Sequence, residues 1–165
     1  MSQESDSPAR ILLCSLGRSW AVVPEAFHRL SQGNIRRTGF VAVHVLTTED
    51  SEIMSKGIPA VRSYFETRYP EVALTFTMVS GFPDLKSEQD HFRFEEVLYR
   101  WILDVAPRSE LRWFCLAGGF KTMSAAMQKA AALLGAAELF HVLVNGKIET
   151  AEQVDQAAQG GDVRL

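Results

Sequence analysis

Short, nearly continuous apolar runs alternate along the chain with longer segments that repeat apolar residues at helical spacing. The short runs are typical of strands buried on both faces, and the longer pattern is typical of amphipathic helices. Strands are predicted at residues 10–16, 40–46, 72–79, 111–116 and 138–144, and helices over 20–30, 51–69, 89–105, 125–134 and 150–158. Strands that alternate with helices favour βαβ units. The predicted fold is therefore an α/β, Rossmann-like three-layer sandwich, in which helices cover both faces of a mainly parallel sheet of five to six strands.

Capping and breaking residues refine these boundaries. Ser19 is the expected N-cap of the first helix, and Pro24 falls in its first turn, where proline is tolerated best. Gly57 and Pro59 suggest a break or a restart within the second helix. The pair at positions 145 and 146, Asn-Gly, predicts a turn after the fifth strand.

The helix predicted over residues 89–105 has the strongest amphipathic pattern. Ser87 is its expected N-cap, and Asp90 places a carboxylate in its first turn, where the helix dipole favours negative charge. Its predicted core face consists of Phe92, Val97, Leu98, Trp101 and Ile102.

Length and charge restrict the class of protein. A chain of 165 residues suits a single domain over residues 10–165, after a disordered polar N-terminal tail of residues 1–9. A net charge of −3 argues against duplex nucleic acid as a partner, because there is no global positive field to attract it. No apolar run of about 20 residues is present, so no membrane partner is expected and the predicted location is cytoplasmic. Cys14 and Cys115 fall inside apolar strands and are predicted to be buried, reduced thiols.

The turn after the fourth predicted strand carries the clearest candidate chemistry. Gly118 and Gly119 let the backbone approach a ligand closely, since neither has a Cβ atom. Lys121 opens the next helix, where a cation opposes the helix dipole at a cost of about 0.3–1 kcal/mol. An anion bound at the turn would offset that cost, and the hydroxyls of Thr122 and Ser124 add donors. The turn is therefore predicted to be a phosphate site.

A second turn is expected beside the first. In doubly wound sheets, ligands bind beyond the carboxyl ends of the strands where the winding direction reverses. If the strand order is the common one, the first and fourth strands are neighbours there. Arg18 and Ser19, which follow the first strand, would then converge with Lys121, Thr122 and Ser124 on one crevice.

Two familiar phosphate-binding patterns do not fit. A P-loop needs an earlier glycine and an adjacent Gly-Lys pair, but Phe120 separates Gly119 from Lys121. The Gly-x-Gly-x-x-Gly dinucleotide fingerprint is also missing after the first strand, where only Gly17 is present.

The residues around both turns resemble the CRISPR-associated Rossmann-fold (CARF) domains. Residues 116–124, Leu-Ala-Gly-Gly-Phe-Lys-Thr-Met-Ser, are similar to that family's Leu-Ala-Gly-Gly-Arg-Lys-Thr-Met signature. Residues 11–24 are similar to its first strand and turn, and residues 45–48 and 84–90 to the end of its second strand and to the loop before its third helix. The resemblance covers residues 11–146. Phe120 departs from it, because the family usually carries arginine there; the difference either removes a charge or offers an aromatic face on which adenine can stack.

The resemblance implies a homodimer that binds one cyclic oligoadenylate, and in particular cyclic tetra-adenylate, across its two-fold axis. Because no effector domain follows the fifth strand, it further implies a stand-alone ring nuclease that needs no metal or other cofactor and switches off type III CRISPR antiviral signalling. The implied catalytic residues are Lys121 as charge stabiliser, Ser19 to orient the reacting groups and Arg18 as a second cation. The implied ligand-binding residues are Gly17, Trp20, Thr48, Asp84, Lys86, Ser87, Gln89, Gly118, Gly119, Phe120, Thr122 and Ser124.

Simpler interpretations stay open for several of these residues. Ser19 can be a helix cap only, Arg18 an ordinary solvated side chain, and Trp20 a packing residue. The loop from Asp84 to Gln89 can be a solvated connection with a cap. At the level of the whole protein, the alternatives are a non-catalytic sensor that acts through a separate effector and a Rossmann-like enzyme for another nucleotide.

Overall fold

The structure is a computed structural model that describes residues 9–31, 39–81, 86–142, 148–160 and 163–164, the last two and residues 157–160 by their backbone alone. Four predictions fall wholly or partly outside these ranges. They concern the N-terminal tail, Asp84, the turn at residues 145–146 and the end of the fifth strand at residues 143–144.

One six-stranded sheet organises the chain, with the strand order β3-β2-β1-β4-β5-β6. Strands β1 to β5 pair in parallel, and β6 runs antiparallel to β5. The predicted α/β fold class is confirmed, and so is the adjacency of the first and fourth strands. The strands are β1 Arg10–Leu16, β2 Phe40–Thr48, β3 Ala73–Val79, β4 Arg112–Cys115, β5 Glu138–Val142 and β6 Val163–Arg164.

Five α-helices accompany the sheet in the described residues: α1 Val22–Ser31, α2 Ile58–Arg68, α3 Glu88–Val105, α4 Lys121–Leu134 and α5 Ala151–Gly160. The prediction that Ser19 caps the first helix is wrong, because α1 begins only at Val22. Residues 20 and 21 form a turn first, which places Ser19 outside the capping position. Pro24 does lie in the first turn. No helix of the described residues is long and apolar enough to cross a bilayer.

The break or restart predicted at Gly57 and Pro59 takes the form of a change of helix type without a gap in the chain of helical residues. A π-helical segment, Ile53–Gly57, leads directly into α2. The carboxylate of Asp50 lies at the N-terminus of this helical stretch. Its Oδ1 accepts hydrogen bonds from the backbone N–H groups of Glu52 at 2.9 Å and Ile53 at 3.1 Å. Asp50 thus performs the N-terminal capping that satisfies otherwise unpaired donors.

Helix α3 begins as predicted but buries a different face. Ser87 Oγ accepts from the Asp90 N–H at 3.1 Å, and Asp90 Oδ2 accepts from the Ser87 N–H at 3.0 Å, which completes a capping box. Phe92 is 62% exposed and Val97 is 36% exposed, so their assignment to the core was wrong. Phe94 is fully buried in their place. It lies on one stripe with Leu98, Trp101 and Ile102.

The core has two parts, one on each side of the sheet. Leu12, Cys14 and Leu16 of β1 pack with residues of α1, α2 and α5 on one side. Leu13 of the same strand packs with residues of α3 and α4 on the other. Strand β1 is therefore buried on both faces, which explains its continuous apolar sequence. Cys14 and Cys115 are buried, free thiols as predicted, at paired positions of β1 and β4.

A buried arginine, Arg112, is the first residue of β4 and lies at the end of the strand away from Gly118 and Gly119. Arg112 is 2% exposed, and its guanidinium donates to the carbonyl oxygens of Ala106 at 2.6 Å and Pro107 at 2.9 Å. It also donates to those of Leu134 and Gly135. The carbonyls of Ala106 and Pro107 directly follow α3, and those of Leu134 and Gly135 lie at the end of α4. At a helix C-terminus a positive charge is favourable, and the last carbonyl oxygens lack intrahelical donors.

Candidate functional site

The turns after β1 and β4 are in direct contact. A Cβ atom on Gly17 would lie 3.0 Å from the Cα of Gly119, and one on Gly118 would lie 1.8 Å from the carbonyl oxygen of Ser15. Gly119 has a φ of 80°, a left-handed conformation that favours glycine. The glycines therefore allow two turns, about a hundred residues apart in sequence, to pack backbone against backbone.

Two serine hydroxyls hold the turn after β4 in place. The buried Ser15 Oγ donates to the Gly118 carbonyl at 2.7 Å. Ser124 Oγ approaches the carbonyls of Leu116 at 2.8 Å and Gly118 at 3.2 Å. Ser124, predicted to contact the ligand, thus directs its hydroxyl hydrogen toward the backbone and stabilises the turn. Ser15 lies inside an apolar run and carries no sequence signal for this role.

Lys121 is the first residue of α4 and is exposed. Phe120, the N-cap residue, has an extended backbone and provides no side-chain cap for the helix. The N–H groups of Lys121 and Thr122 lie in the first turn, where a helix has no intrahelical acceptors for its donors. The start of α4 therefore combines a lysine ammonium group with the positive end of a helix dipole, as an anion site requires.

The side chain of Arg18 extends from the turn toward the helical stretch after β2. It forms ion pairs with Asp50 at 3.1 Å and Glu52 at 3.6 Å. The pKa of the Asp50 carboxyl is lowered, chiefly by the N–H of Ile53 and further by Arg18. Two carboxylates therefore offset part of the positive charge that Arg18 brings to the crevice.

A cavity of about 790 Å³ opens beside the β1 turn. Three predicted site residues line it, namely Arg18, Ser19 and Trp20, whereas Lys121, Thr122 and Ser124 do not. The other lining residues are Glu52, Lys56, Gly57, Ala60, Ile148 and Glu149. The predicted crevice residues that follow β1 thus line this cavity, whereas the start of α4 lies outside its lining, and the two turns meet where Gly17 packs on Gly119.

The remaining predicted ligand contacts differ in accessibility. Thr48 is fully buried at the end of β2. Lys86, Ser87 and Gln89 are exposed at the start of α3, and the Ser87 hydroxyl accepts from the Asp90 N–H.

Sequence reasoning missed Lys56, Ile148 and Glu149, because they reach the cavity from segments with no recognisable motif. The capping role of Asp50 could have been predicted, since an aspartate after a strand and before a helical pattern is typical of an N-cap.

The family comparison supplies the decisive observation: the sequence profile of the CRISPR-associated protein NE0113 family matches residues 20–162, most of the chain. The chain belongs to that family. No protein with a curated description matches it in sequence.

Two solved structures share the fold of this NE0113-family chain. Csm6 of Enterococcus italicus, bound to cyclic hexa-2′-fluoro-hexa-dAMP, aligns with a TM-score of 0.62 at 11% identity, over 92% of this chain and 38% of Csm6. Can2 of Sulfobacillus thermosulfidooxidans, in complex with cyclic tetra-adenylate, aligns with a TM-score of 0.53 at 14% identity, over 81% of this chain and 32% of Can2. The chain thus spans about a third of the length of either protein. The resemblance to CARF domains is confirmed at the level of the fold.

Proposed function

We propose that this protein binds a cyclic oligoadenylate at the turns after β1 and β4, as a homodimer, and cleaves it without a metal ion. The proposed ligand is cyclic tetra-adenylate, and its cleavage ends type III CRISPR signalling. The observation that carries the proposal is the contact between Gly17 and Gly119, which brings the turn that bears Arg18 against the turn that precedes Lys121. The cyclic oligoadenylates in the Csm6 and Can2 structures support the choice of ligand class.

The start of α4 is the proposed phosphate subsite. Lys121 and the first-turn N–H groups of α4 supply positive charge beside a backbone that carries no side chain at Gly118 and Gly119. A phosphate bound there removes the unfavourable interaction between Lys121 and the helix dipole.

The cavity beside Trp20 is the proposed nucleoside subsite. Its volume of about 790 Å³ lies in the range of ordinary small-molecule sites. Trp20 offers an aromatic face for stacking, while Lys56 and Arg18 lie beside it for the adjoining phosphates.

The proposed reaction uses the ligand's own 2′-hydroxyl. Its oxygen forms a bond to the adjacent phosphorus, the bond from phosphorus to the 5′ oxygen breaks, and the hydroxyl proton passes to solvent. The 5′ oxygen takes up a proton from solvent, which leaves a linear product with a 2′,3′-cyclic phosphate. Lys121 stabilises the charge that develops on the phosphorane, and Ser19 orients the attacking hydroxyl.

Product analysis in a chelator tests this proposal. Purified protein is incubated in EDTA with radiolabelled cyclic tetra-adenylate and, separately, with cyclic hexa-adenylate. Faster conversion of the tetramer to linear products is expected. Lys121→Ala is expected to slow this conversion. Its matched control is Lys129→Ala, because Lys129 lies on the same helix, α4, but pairs with Glu95 away from the turn. Absence of binding to either ring would contradict the proposal.

One observation favours the second candidate, a sensor that binds without cleaving. Residues 117–124 contain no carboxylate or imidazole, so the turn itself supplies no general base. A sensor would retain the labelled ring intact through the same incubation, so the assay separates the two functions.

A further inference from the structure

Strand β3 is an outer edge of the sheet, and among the residues that the structure describes it has no charge, proline, bulge or covering strand to protect it. It pairs with β2 over seven residues, from Ala42 and Ala73 to Thr48 and Val79, with no register shift. Its sequence, Ala-Leu-Thr-Phe-Thr-Met-Val, contains no charge and no proline. Natural proteins protect exposed edges with charges, prolines, bulges or a covering segment. In the part of the chain that the structure describes, no strand pairs with its outer side.

An apolar hollow and an apolar projection accompany this edge. The hollow, of about 260 Å³, lies between β3 and α2, and Phe65, Tyr69, Val72 and Leu74 contribute to its lining. The projection is Met78, whose side chain is 46% exposed four residues further along the same strand. Methionine is flexible and fills irregular apolar hollows well.

We propose that β3 pairs antiparallel with β3 of a second copy, about a two-fold axis at Phe76. In the register that overlaps all seven residues, Phe76 opposes the same residue of the second copy. Met78 then opposes Leu74 and lies beside the hollow that Leu74 lines, and the axis repeats this contact reciprocally. Thr75 opposes Thr77, and Ala73 opposes Val79. Every opposed pair joins like chemistry, as stable cross-strand pairs do.

Two charged side chains of α2 lie beside the edge. Arg62 lies over the Phe76 ring, with its guanidinium carbon 5.5 Å from the ring centroid. Glu66, one turn further along α2, lies at the rim of the same hollow. Neither residue forms an ion pair with another described residue. Each copy thus presents one positive and one negative group beside the edge.

This interface does not depend on the proposed ligand. Strand β3 is separated from β1 by β2, so the pairing leaves the turns after β1 and β4 outside the edge contact. If the ligand joins copies through those turns, the edge is a second interface, and two perpendicular two-fold axes would close the assembly at four subunits. In either case, loss of the edge contact halves the mass of the particle.

The test measures mass in solution without ligand, by size-exclusion chromatography with light scattering. Met78→Lys places a charge against Leu74 of the second copy and is expected to halve the mass. The matched control is Val41→Lys, because Val41 is 47% exposed but precedes the part of β2 that pairs with β3. This variant is expected to keep the wild-type mass. An unchanged mass for Met78→Lys, an equal fall for the control, or a wild-type protein of one subunit would overturn the proposal.

A second measurement covers the case in which Met78→Lys does not fold. In the double variant Thr75→Cys/Thr77→Cys, the opposed positions of two copies lie within disulfide reach in the proposed register. Mild oxidation is expected to give a covalent dimer on a non-reducing gel, whereas Val41→Cys is expected to stay monomeric. Absence of the covalent dimer would overturn the register. Binding of cyclic tetra-adenylate, measured on the same variants, reports separately on the proposed function.

Discussion

A Cβ atom on Gly118 would lie 1.8 Å from the carbonyl oxygen of Ser15, so the turn after β4 rests directly on the backbone of β1. Because that neighbour is backbone, it has little freedom to move aside. Gly118→Ala is expected to destabilise the protein by at least the roughly 1–3 kcal/mol typical of overpacking, and to weaken ligand binding. Urea unfolding and titration with cyclic tetra-adenylate measure the two effects.

Gly57→Ala is the control for that substitution. Its nearest contacts would be 3.7–3.9 Å away, ordinary van der Waals separations, and its backbone is helical. Alanine favours a helix over glycine by about 1 kcal/mol, so this variant should be as stable as wild type or slightly more stable. Equal losses at both positions would contradict the close packing assigned to Gly118.

Lys121→Ala is expected to change stability and activity in opposite directions. Removal of a cation from the first turn of α4 should stabilise the free protein by about 0.3–1 kcal/mol. Loss of a group that stabilises transition-state charge should slow ring cleavage by about 10²–10³-fold. Thermal melts and single-turnover cleavage measure the two changes, and a variant that cleaves at the wild-type rate would exclude Lys121 from the reaction.

Arg112 is expected to be among the most costly side chains to remove. Four carbonyl oxygens accept from its guanidinium, and each buried acceptor left unsatisfied costs about 1–3 kcal/mol. Arg112→Met should therefore lower the free energy of unfolding by more than about 3 kcal/mol. Arg100→Ala, which removes only an exposed pair with Glu96, should change it by less than about 1 kcal/mol.

The packing of α1 against α2 should weaken as the pH falls from 7 to 5. His28 Nδ1 contacts the hydroxyls of Tyr69 and Tyr64, and Tyr64 donates to Asp155, which pairs with Arg68. Burial lowers the pKa of His28 below its ordinary value near 6.5. As the pH falls, the unfolded chain therefore binds a proton at His28 before the folded protein does. The contribution of neutral His28 to the free energy of unfolding is fully present above about pH 6.5 and decreases below it.

His28→Gln should flatten this dependence, because glutamine accepts a hydrogen bond but does not titrate. Urea midpoints at several pH values between 5 and 7 measure the slope for both proteins. A slope equal to that of wild type would show that another group causes the pH dependence.

Topology was more predictable from the sequence than the detail of the site. The continuous apolar run of β1 and the regular alternation of elements sufficed for a parallel sheet, and the common strand order then placed β1 beside β4. On α3 the periodic pattern allowed two overlapping stripes. Only packing decides that Phe94 lies in the core and Phe92 in solvent.

The cavity was beyond sequence reasoning for a different reason. Trp20, Lys56 and Glu149 come from three separate segments, and no spacing rule connects them. The pairing of Arg18 with Asp50 and Glu52 likewise depends on how the turn is oriented, which the residue types do not determine.

The edge of the sheet opposite β3 limits how far assembly through paired strands can proceed. There β5 is followed by the two-residue antiparallel strand β6, too short to serve as a template for a further chain. Growth through backbone pairing is therefore confined to one side of each molecule. In the described part of the chain, a pair joined through β3 leaves no second long edge for recruitment, so this contact closes on itself and does not propagate into a fibre.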